Sequence, residues 1–424
     1  MSIFKKMSDD VKKANEEHSQ KVAAEATVEG ELTLKKLLSQ NLRQYGIVGA
    51  LILLVIFFQV STNGLLLLPN SFVALIQQNA YVLILSMGMV MVIIATHIDL
   101  SVGSQVAFIG GCLAIMMQKM GIPWYWAILA AVAIGLIIGA WHGFWIAYVG
   151  IPGFITTLAG MLLFRGLATL LVGESIPIKV EAYRHIAKGF LPNIFGWVGP
   201  FDLLTLLVGA FLIVVVIVMT FRGMAAQTKA GIYIPASAKT WKLLTMIIGC
   251  ALIAFVTYLL ASSGNAEQGG IPITLVIVGI LFALSTFITT STTFGRHIYA
   301  VGGNRKAAIL SGINTKLVDF KIYVYMGLLV STASVVMLSR SASATAVAGQ
   351  EFELDAIAAC FIGGTAVTGG KGTVPGVMIG ALVMGVLNQG LSLMGVSSAW
   401  VKTIKGLVLL FAVAIDIISK KKRG

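Results

Sequence analysis

The sequence predicts an all-α integral membrane protein, a polytopic helical bundle of about twelve spans. Three observations point there. Of 424 residues, 58% are hydrophobic and 11% charged, with a mean hydropathy of +0.93; a soluble domain carries about 25% charged residues. Apolar runs near 20 residues, the length that crosses a ~30 Å hydrocarbon core as a helix, recur along the chain. Lys and Arg gather in a few segments between those runs. So little polar surface cannot cover a water-soluble globule, which excludes a soluble enzyme, a disordered chain and a nucleic-acid module. The net charge of +13 then reports Lys and Arg of cytoplasmic loops. Cys112, Cys250 and Cys360 sit in apolar runs as small hydrophobes, without disulfide or metal spacing.

Taken in order, residues 1–43 hold eight Lys/Arg and seven Asp/Glu with no apolar run, and read as a solvated cytoplasmic tail. They lack the short apolar stretch and small-residue cleavage site of a signal peptide. The membrane domain covers 44–420. Its spans are 44–62, 71–96, 101–118, 124–149, 153–172, 201–221, 241–262, 271–290, 321–340, 353–370, 374–395 and 398–418. The runs 101–118 and 353–370 are short, Gly-rich and abut acidic residues, so they read as broken helices. Residues 421–424 form a basic tail. With both termini cytoplasmic, the clusters around Arg222–Lys242, Arg296–Lys321 and Lys420–Arg423 all fall inside, as the positive-inside rule requires. The 173–200 segment then caps the outer face.

The chain contains a loose internal repeat. Asp99-Leu100 precedes Phe108-Ile109-Gly110-Gly111, and Glu353-Leu354-Asp355 precedes Phe361-Ile362-Gly363-Gly364. By span count the third helix runs outward and the tenth inward. The halves, about 71–172 and 321–418, are then an inverted repeat, an arrangement that places a transport path at the repeat interface. The 46 glycines suit close helix approach.

Polar residues at membrane depth need a partner, water or a task. Asp99 and Ser101 look like a helix N-cap region; Asp99 either caps a broken helix or meets substrate. Glu353 and Asp355 stand before the matching run and admit the same two readings. Arg165, in the fifth span, reads as a structural ion pair. Lys402 and Lys405 lie near the outer end of the last span and can snorkel. Amides, hydroxyls and aromatics suit a neutral hydroxylated solute: Gln78 and Asn79, Trp141 and His142, Thr156 and Thr157, Asn388 and Gln389.

No residues of this chain have the pattern of an energy-yielding or cofactor site. Gly369-Gly370-Lys371-Gly372-Thr373 lacks the Ser/Thr and the upstream Gly of a phosphate loop and reads as a tight turn. The energy must come from an ion gradient or from another subunit. The longest polar stretch between spans, 293–320, is cytoplasmic. Within it, 304–310 reads as a short helix with Asn304 as N-cap and Gly312 as its stop, a shape that docks into a groove on another protein.

The motifs Ile98-Asp99-Leu100-Ser101-Val102-Gly103-Ser104, Gly302-Gly303-Asn304-x-x-Ala307-Ala308-x-x-Ser311-Gly312-Ile313 and Glu353-Leu354-Asp355-Ala356-Ile357-Ala358-Ala359 resemble those of the ribose/xylose/galactose permease family of bacterial ABC importers. The resemblance covers residues 44–418. Two extra helices, 201–262, interrupt the ten-span family core, as in the xylose and multiple-monosaccharide subgroup. Thr156-Thr157-Leu158-Ala159-Gly160 and Phe164-Arg165-Gly166 fit that subgroup too. The resemblance implies a non-enzymatic transport subunit of the bacterial inner membrane. It also implies a second permease copy as partner, a cytoplasmic ATP-binding subunit with two fused nucleotide-binding domains, and a periplasmic or lipid-anchored sugar-binding protein. ATP and Mg would sit on the partner, with no cofactor on this chain and no nucleic acid. Gly303, Asn304, Arg305, Lys306, Ala307, Ala308, Ser311 and Gly312 would form the coupling element, with Arg305 and Lys306 facing an acidic ATPase surface. The competing readings are an ion-coupled transporter acting alone, and the same machinery carrying a nucleoside or a branched-chain amino acid. An amino-acid carboxylate wants a cation in the path, and only Arg165 qualifies.

Overall fold

The computed structural model describes residues 33–229, 236–265 and 268–421. Most of the expected N-terminal tail, to residue 32, and the basic end from 422 lie outside the described residues. The helices are α1 (Thr33–Ser61), α2 (Pro69–Ile94), α3 (Val102–Gln118), α4 (Trp124–Phe144), α5 (Gly153–Val172), α6 (Glu181–Lys188), α7 (Leu203–Lys229) and α8 (Ala236–Ala261). They continue as α9 (Ile273–Ser291), α10 (Thr293–Gly303), α11 (Arg305–Leu310), α12 (Thr315–Ser341), α13 (Phe352–Ile362), α14 (Val374–Leu393) and α15 (Ser398–Lys421).

Eleven of the twelve predicted spans coincide with a helix, because a backbone in hydrocarbon must bond within its own segment. Among the described residues, eight helices are long and apolar enough to cross a membrane, and Gly46–Ser61 and α3 are shorter apolar helices. Of the two runs read as broken, 353–370 is interrupted: an 11-residue helix, α13, about 16 Å long, is followed by a glycine-rich loop. The other, 101–118, is corrected: α3 is one continuous helix of 17 residues. Prolines punctuate the starts: Pro69 and Pro375 lie in first turns, and Pro123, Pro152 and Pro272 immediately precede their helices. There a missing N–H leaves no intrahelical bond unmade. Past its end, α4 widens into a π-turn over Trp145–Val149 and stops at Gly150, whose φ of +86° suits glycine.

Two compact units divide the chain. In the smaller, Leu206–Tyr258 with the chain up to Tyr45, α7 and α8 form an antiparallel hairpin. Gly209 lies against Thr257 near one end, and Lys242 Nζ donates to Gln227 Oε1 near the other. The most apolar stretch of each helix is only 11% buried within the chain, leaving long lipid-facing apolar surfaces.

The larger unit, Gly46–Thr205 with Leu259–Gly424, is built around α2 and α12. Their spanning windows are 89% and 72% buried. The most extensive helix packing is between α4 and α12. A Cβ on Gly327 would stand 2.1 Å from the Gly135 carbonyl oxygen, and one on Gly139 would stand 2.3 Å from that of Tyr323. The spacing Gly135-x-x-x-Gly139-x-x-x-Gly143 puts three glycines on one face of α4, so the two backbones touch directly. A similar seam joins α13 to α14, where a Cβ on Gly380 would lie 2.0 Å from the Ala359 carbonyl oxygen. At one end of the bundle, α6 lies across the end of α12, and the strand Ser175–Pro177 pairs antiparallel with Ser343–Thr345.

Gly327→Val should therefore destabilise the detergent-solubilised protein by more than about 3 kcal/mol, the upper range for overpacking, because backbone cannot yield as a side chain does. Gly166→Val, which meets open space, should leave it unchanged. Equal melting temperatures for the two variants would contradict the backbone seam.

Candidate functional site

At one end of the larger unit, three caps in succession build the 293–320 connection. Thr292 Oγ1 accepts from Gly295 N–H at 3.1 Å, Asn304 Oδ1 from Ala307 N–H at 3.0 Å, and Asn314 Oδ1 from Leu317 N–H at 3.0 Å. Each cap satisfies an otherwise orphaned donor and starts the next helix. Gly312, at φ +80°, turns the chain between α11 and α12. The short helix expected at 304–310 is thus α11, with Asn304 and Gly312 as its limits.

Of the expected coupling residues, Gly303, Asn304, Lys306, Ala307, Ser311 and Gly312 are exposed, and Ala308 is buried under the helix. Leu310 is 88% exposed and Ile309 projects beside it. Arg305, 39% exposed, also has a partner inside the chain. Its Nη2 donates to Asp319 Oδ2 at 2.7 Å and lies 3.4 Å from His97 Nε2, and Asp319 is 2% exposed. A buried carboxylate needs a counter-charge, and Arg305 supplies it from within the chain. Lys306 and the Ile309/Leu310 pair remain for a partner. The same end holds a tight junction. Gly302 leaves no room for a Cβ beside the Ile94 carbonyl, whose oxygen accepts from Gly370 N–H at 2.9 Å. Tyr299 OH donates to the Gly372 carbonyl at 2.8 Å, and burial pushes its phenol pKa up, keeping it a donor. The 369–373 string is indeed a tight turn, with Gly369 and Gly370 both at positive φ.

A second cluster gathers Asp99, Ser101, His142 and Thr157, all buried, and adds Gln105. Asp99 Oδ1 accepts from the Ser101 N–H at 2.9 Å and its hydroxyl at 2.5 Å; Gln105 Nε2 donates to Ser101 Oγ at 2.7 Å. His142 Nδ1 lies 3.2 Å from the Ile138 carbonyl and Nε2 3.4 Å from Ser101 Oγ. Thr157 Oγ1 donates to the Ile98 carbonyl at 3.0 Å. Asp99 organises the turn before α3 and makes no bond to the free N–H groups inside the helix. Trp141 packs edge-on to His142 and Phe164, and Thr156 bonds back to the Pro152 carbonyl. Neither makes a side-chain hydrogen bond to the other members of the polar cluster.

The third cluster lines an open cleft of about 440 Å³ at the other end of the unit. This is within the roughly 300–1,000 Å³ typical of small-molecule sites. Gln78, Asn79 and Asn388 face it, and Asn388 Nδ2 donates to Asn79 Oδ1 at 3.0 Å. Sequence reasoning missed its aromatic floor. Tyr81 stacks on Phe352 with ring centroids 3.5 Å apart and donates to Asp355 Oδ2 at 2.7 Å. The two lysines expected to snorkel, Lys402 and Lys405, also have carboxylate partners. Lys405 bonds Asp355 at 3.0 Å and Lys402 pairs with Glu351 at 2.8 Å. Gln389, one residue from Asn388, is buried with Oε1 unpartnered and lies outside the cleft lining.

The start of α3 meets the turn into α13, where Gly103 and Gly349 touch backbone to backbone and the Glu353 carboxylate is buried beside them. The ion pair expected for Arg165 is replaced by two carbonyl acceptors, Ala346 O and Ala348 O, each at 2.7 Å. These hold the turn that delivers Glu353, whose charge acts on Arg165 from beyond ion-pair distance. Among the described residues, no carboxylate reaches Arg165 as an ion pair.

A family model described as the branched-chain amino acid transport system permease component matches residues 71–240 and 251–413. The xylose transport system permease protein of Escherichia coli (strain K12) is 36% identical over 385 residues, 91% of this chain and 94% of that protein. Its counterpart in Haemophilus influenzae (strain Rd) is 37% identical over 91% of this chain and 99% of its own. The ribose import permease protein of Escherichia coli (strain K12) is 32% identical over 88% and 94%. No solved structure matches the chain. The resemblance read from the motifs holds over nearly the whole length, and the chain belongs to the permease-component family of transport systems that includes the xylose and ribose permeases.

Proposed function

We propose that this chain is the multi-pass inner-membrane permease subunit of an ABC importer that passes a monosaccharide, xylose or a related pentose or hexose, inward. The observation that carries this reading is the cleft. Its charges are matched in pairs, Lys405 with Asp355 and Lys402 with Glu351, and the groups left to a solute are amides, hydroxyls and an aromatic face. An amino-acid cargo would want a free cation there, and Arg165 is committed to two carbonyls. Both termini are cytoplasmic and the cleft opens outward, near the beginning of α2 and α15. The chain itself does no covalent chemistry. ATP and Mg are bound by a separate subunit with two fused nucleotide-binding domains, and a second permease copy completes the path. A periplasmic or lipid-anchored binding protein delivers the sugar.

Energy enters at α11. Ile309, Leu310 and Lys306 dock on the ATPase. The Arg305–Asp319–His97 cluster ties that helix to the start of α12 and the end of α2. The Gly302–Ile94–Gly370 junction ties it to the loop after α13. Displacement of α11 is thereby passed to both ends of the repeat, a rigid-body route to alternating access.

Uptake of radiolabelled xylose into proteoliposomes holding the permease, its ATPase and its binding protein tests the reading. Uptake should require ATP; uptake driven by an ion gradient without the ATPase would sink it. Leu310→Asp should abolish stimulation of ATP hydrolysis while the protein still inserts and melts normally. Asp319→Asn should cut sugar uptake about tenfold or more while ATP hydrolysis persists, since charged hydrogen bonds contribute about 1.5–3 kcal/mol. Parallel loss of both activities would assign Asp319 to stability alone. Asn388→Leu should lower uptake with unchanged ATP hydrolysis if the cleft lies on the path.

A further inference from the structure

The hairpin of the smaller unit carries charge of one sign at one end. From residue 203 to 266 the sequence holds no Asp or Glu and four cations, Arg222, Lys229, Lys239 and Lys242. All four stand where α7 ends and α8 begins. From Leu203 to Phe221 and from Leu243 to Ala261 each helix runs without a charge for about 28 Å. That length matches a hydrocarbon core of ~30 Å. Arg222 and Lys242 therefore stand at the boundary of the core, and Lys229 lies about 10 Å further along α7. The headgroup layer on one side of a bilayer is roughly 5–8 Å deep, so the cations cover its depth.

Helix pairing gathers them. Gly209 lies against Thr257, and Lys242 Nζ donates to Gln227 Oε1, a register that sets Lys229 about level with Lys239. Arg222, Lys229 and Lys239 are exposed, and none of the three is in an ion pair among the described residues. The helix dipole suits Lys229, at the C-terminus of α7. It opposes Lys239, in the first turn of α8, where the partial charge is already positive. Fixing the orientation of the chain asks only for an excess of Lys and Arg in the loop. It asks neither for a cation against a dipole nor for a set of cations graded through the headgroup layer. Both features cost free energy until an anion arrives. The surface beneath them selects the anion. The most apolar stretch of each helix is only 11% buried, and Phe221, next to Arg222, is 51% exposed. An acidic protein surface would make no use of those apolar flanks; a lipid uses both.

We propose that the charged end of the α7–α8 hairpin is a binding site for anionic phospholipid. Lys229 and Lys239 hold the headgroup phosphate, Arg222 and Lys242 stand at the level of the glycerol, and the acyl chains lie on the bare flanks of the two helices. The inference rests on the proposed function only for the leaflet, which that function makes the cytoplasmic one. The negative surface of that leaflet attracts each nearby Lys or Arg by about fivefold in affinity.

The test is native mass spectrometry of the detergent-solubilised full-length permease, titrated with phosphatidylglycerol or with phosphatidylcholine. The wild type should hold phosphatidylglycerol about tenfold or more tightly than phosphatidylcholine, and the preference should shrink as salt rises. Lys229→Gln with Lys239→Gln should bring the two lipids to near-equal affinity, and Lys229→Arg with Lys239→Arg should keep most of the preference. Arg296→Gln with Lys316→Gln removes the same charge from the other cytoplasmic loop and should change nothing; an equal loss there would reduce the effect to net charge and overturn the site. Inorganic phosphate should not displace the lipid; displacement at equal concentration would make the cluster a free-phosphate site. Equal wild-type affinity for the two lipids would overturn the inference while leaving the transport function intact. So would Gln variants that keep the lipid preference and instead lose the ATPase subunit on co-purification, which would assign the cations to an acidic protein surface. A permease that selects phosphatidylglycerol yet takes up no sugar with its partners would overturn the function and leave the lipid site standing.

Discussion

The larger unit hangs on direct backbone contact between α4 and α12. Gly135 and Gly327 approach so closely that either Cβ would enter the other's carbonyl. In a bilayer, burial of apolar side chains offers little gain over lipid, so helices associate through close packing. A seam without side chains maximises that packing and removes freedom to slide. It also holds α12 rigid in the centre, where its two ends can be read by different parts of the molecule.

Those ends are fastened by different contacts. At the first turns of α12, Asp319 receives Arg305 from α11 and lies beside His97 at the end of α2. At the last turn, Ser339 fastens α6 and presents Arg340 with Arg184 and Lys188. One buried helix thus runs from the surface proposed to meet the ATPase to the crossing with α6. Coupling through such an element needs no chain of soft contacts, because a rigid helix moves as a body.

Charge inside the unit is handled by pairing. Asp355 has Lys405 and Tyr81, Asp99 has Ser101, and Asp319 has Arg305. An isolated charge in this environment would cost several kcal/mol. Glu353 has neither a paired counter-charge nor, at Oε2, a hydrogen-bond partner where α3 meets the turn into α13. The positive end of α13, to which it belongs, and the more distant Arg165 compensate it.

Helix positions were legible in the sequence, and so was the short capped helix at 304–310. Both depend on local rules: internal backbone bonding in hydrocarbon, and caps that reach three residues ahead. The polar residues at depth were also visible as residues out of place, and Asn79 and Asn388 do come together at the cleft, with Asp355 bonded to Tyr81 beside them. Their partners were not visible. Tyr81 reaches Asp355 across 274 positions, and Arg165 reaches Ala346 across 181. Nothing in hydropathy or spacing records such pairings, since they are set by which helix faces meet. For the same reason Arg305 read only as a surface cation, and its bond to Asp319 was not foreseen. The tertiary structure alone decided that bond, because only packing buries Asp319 beside it and so requires its charge.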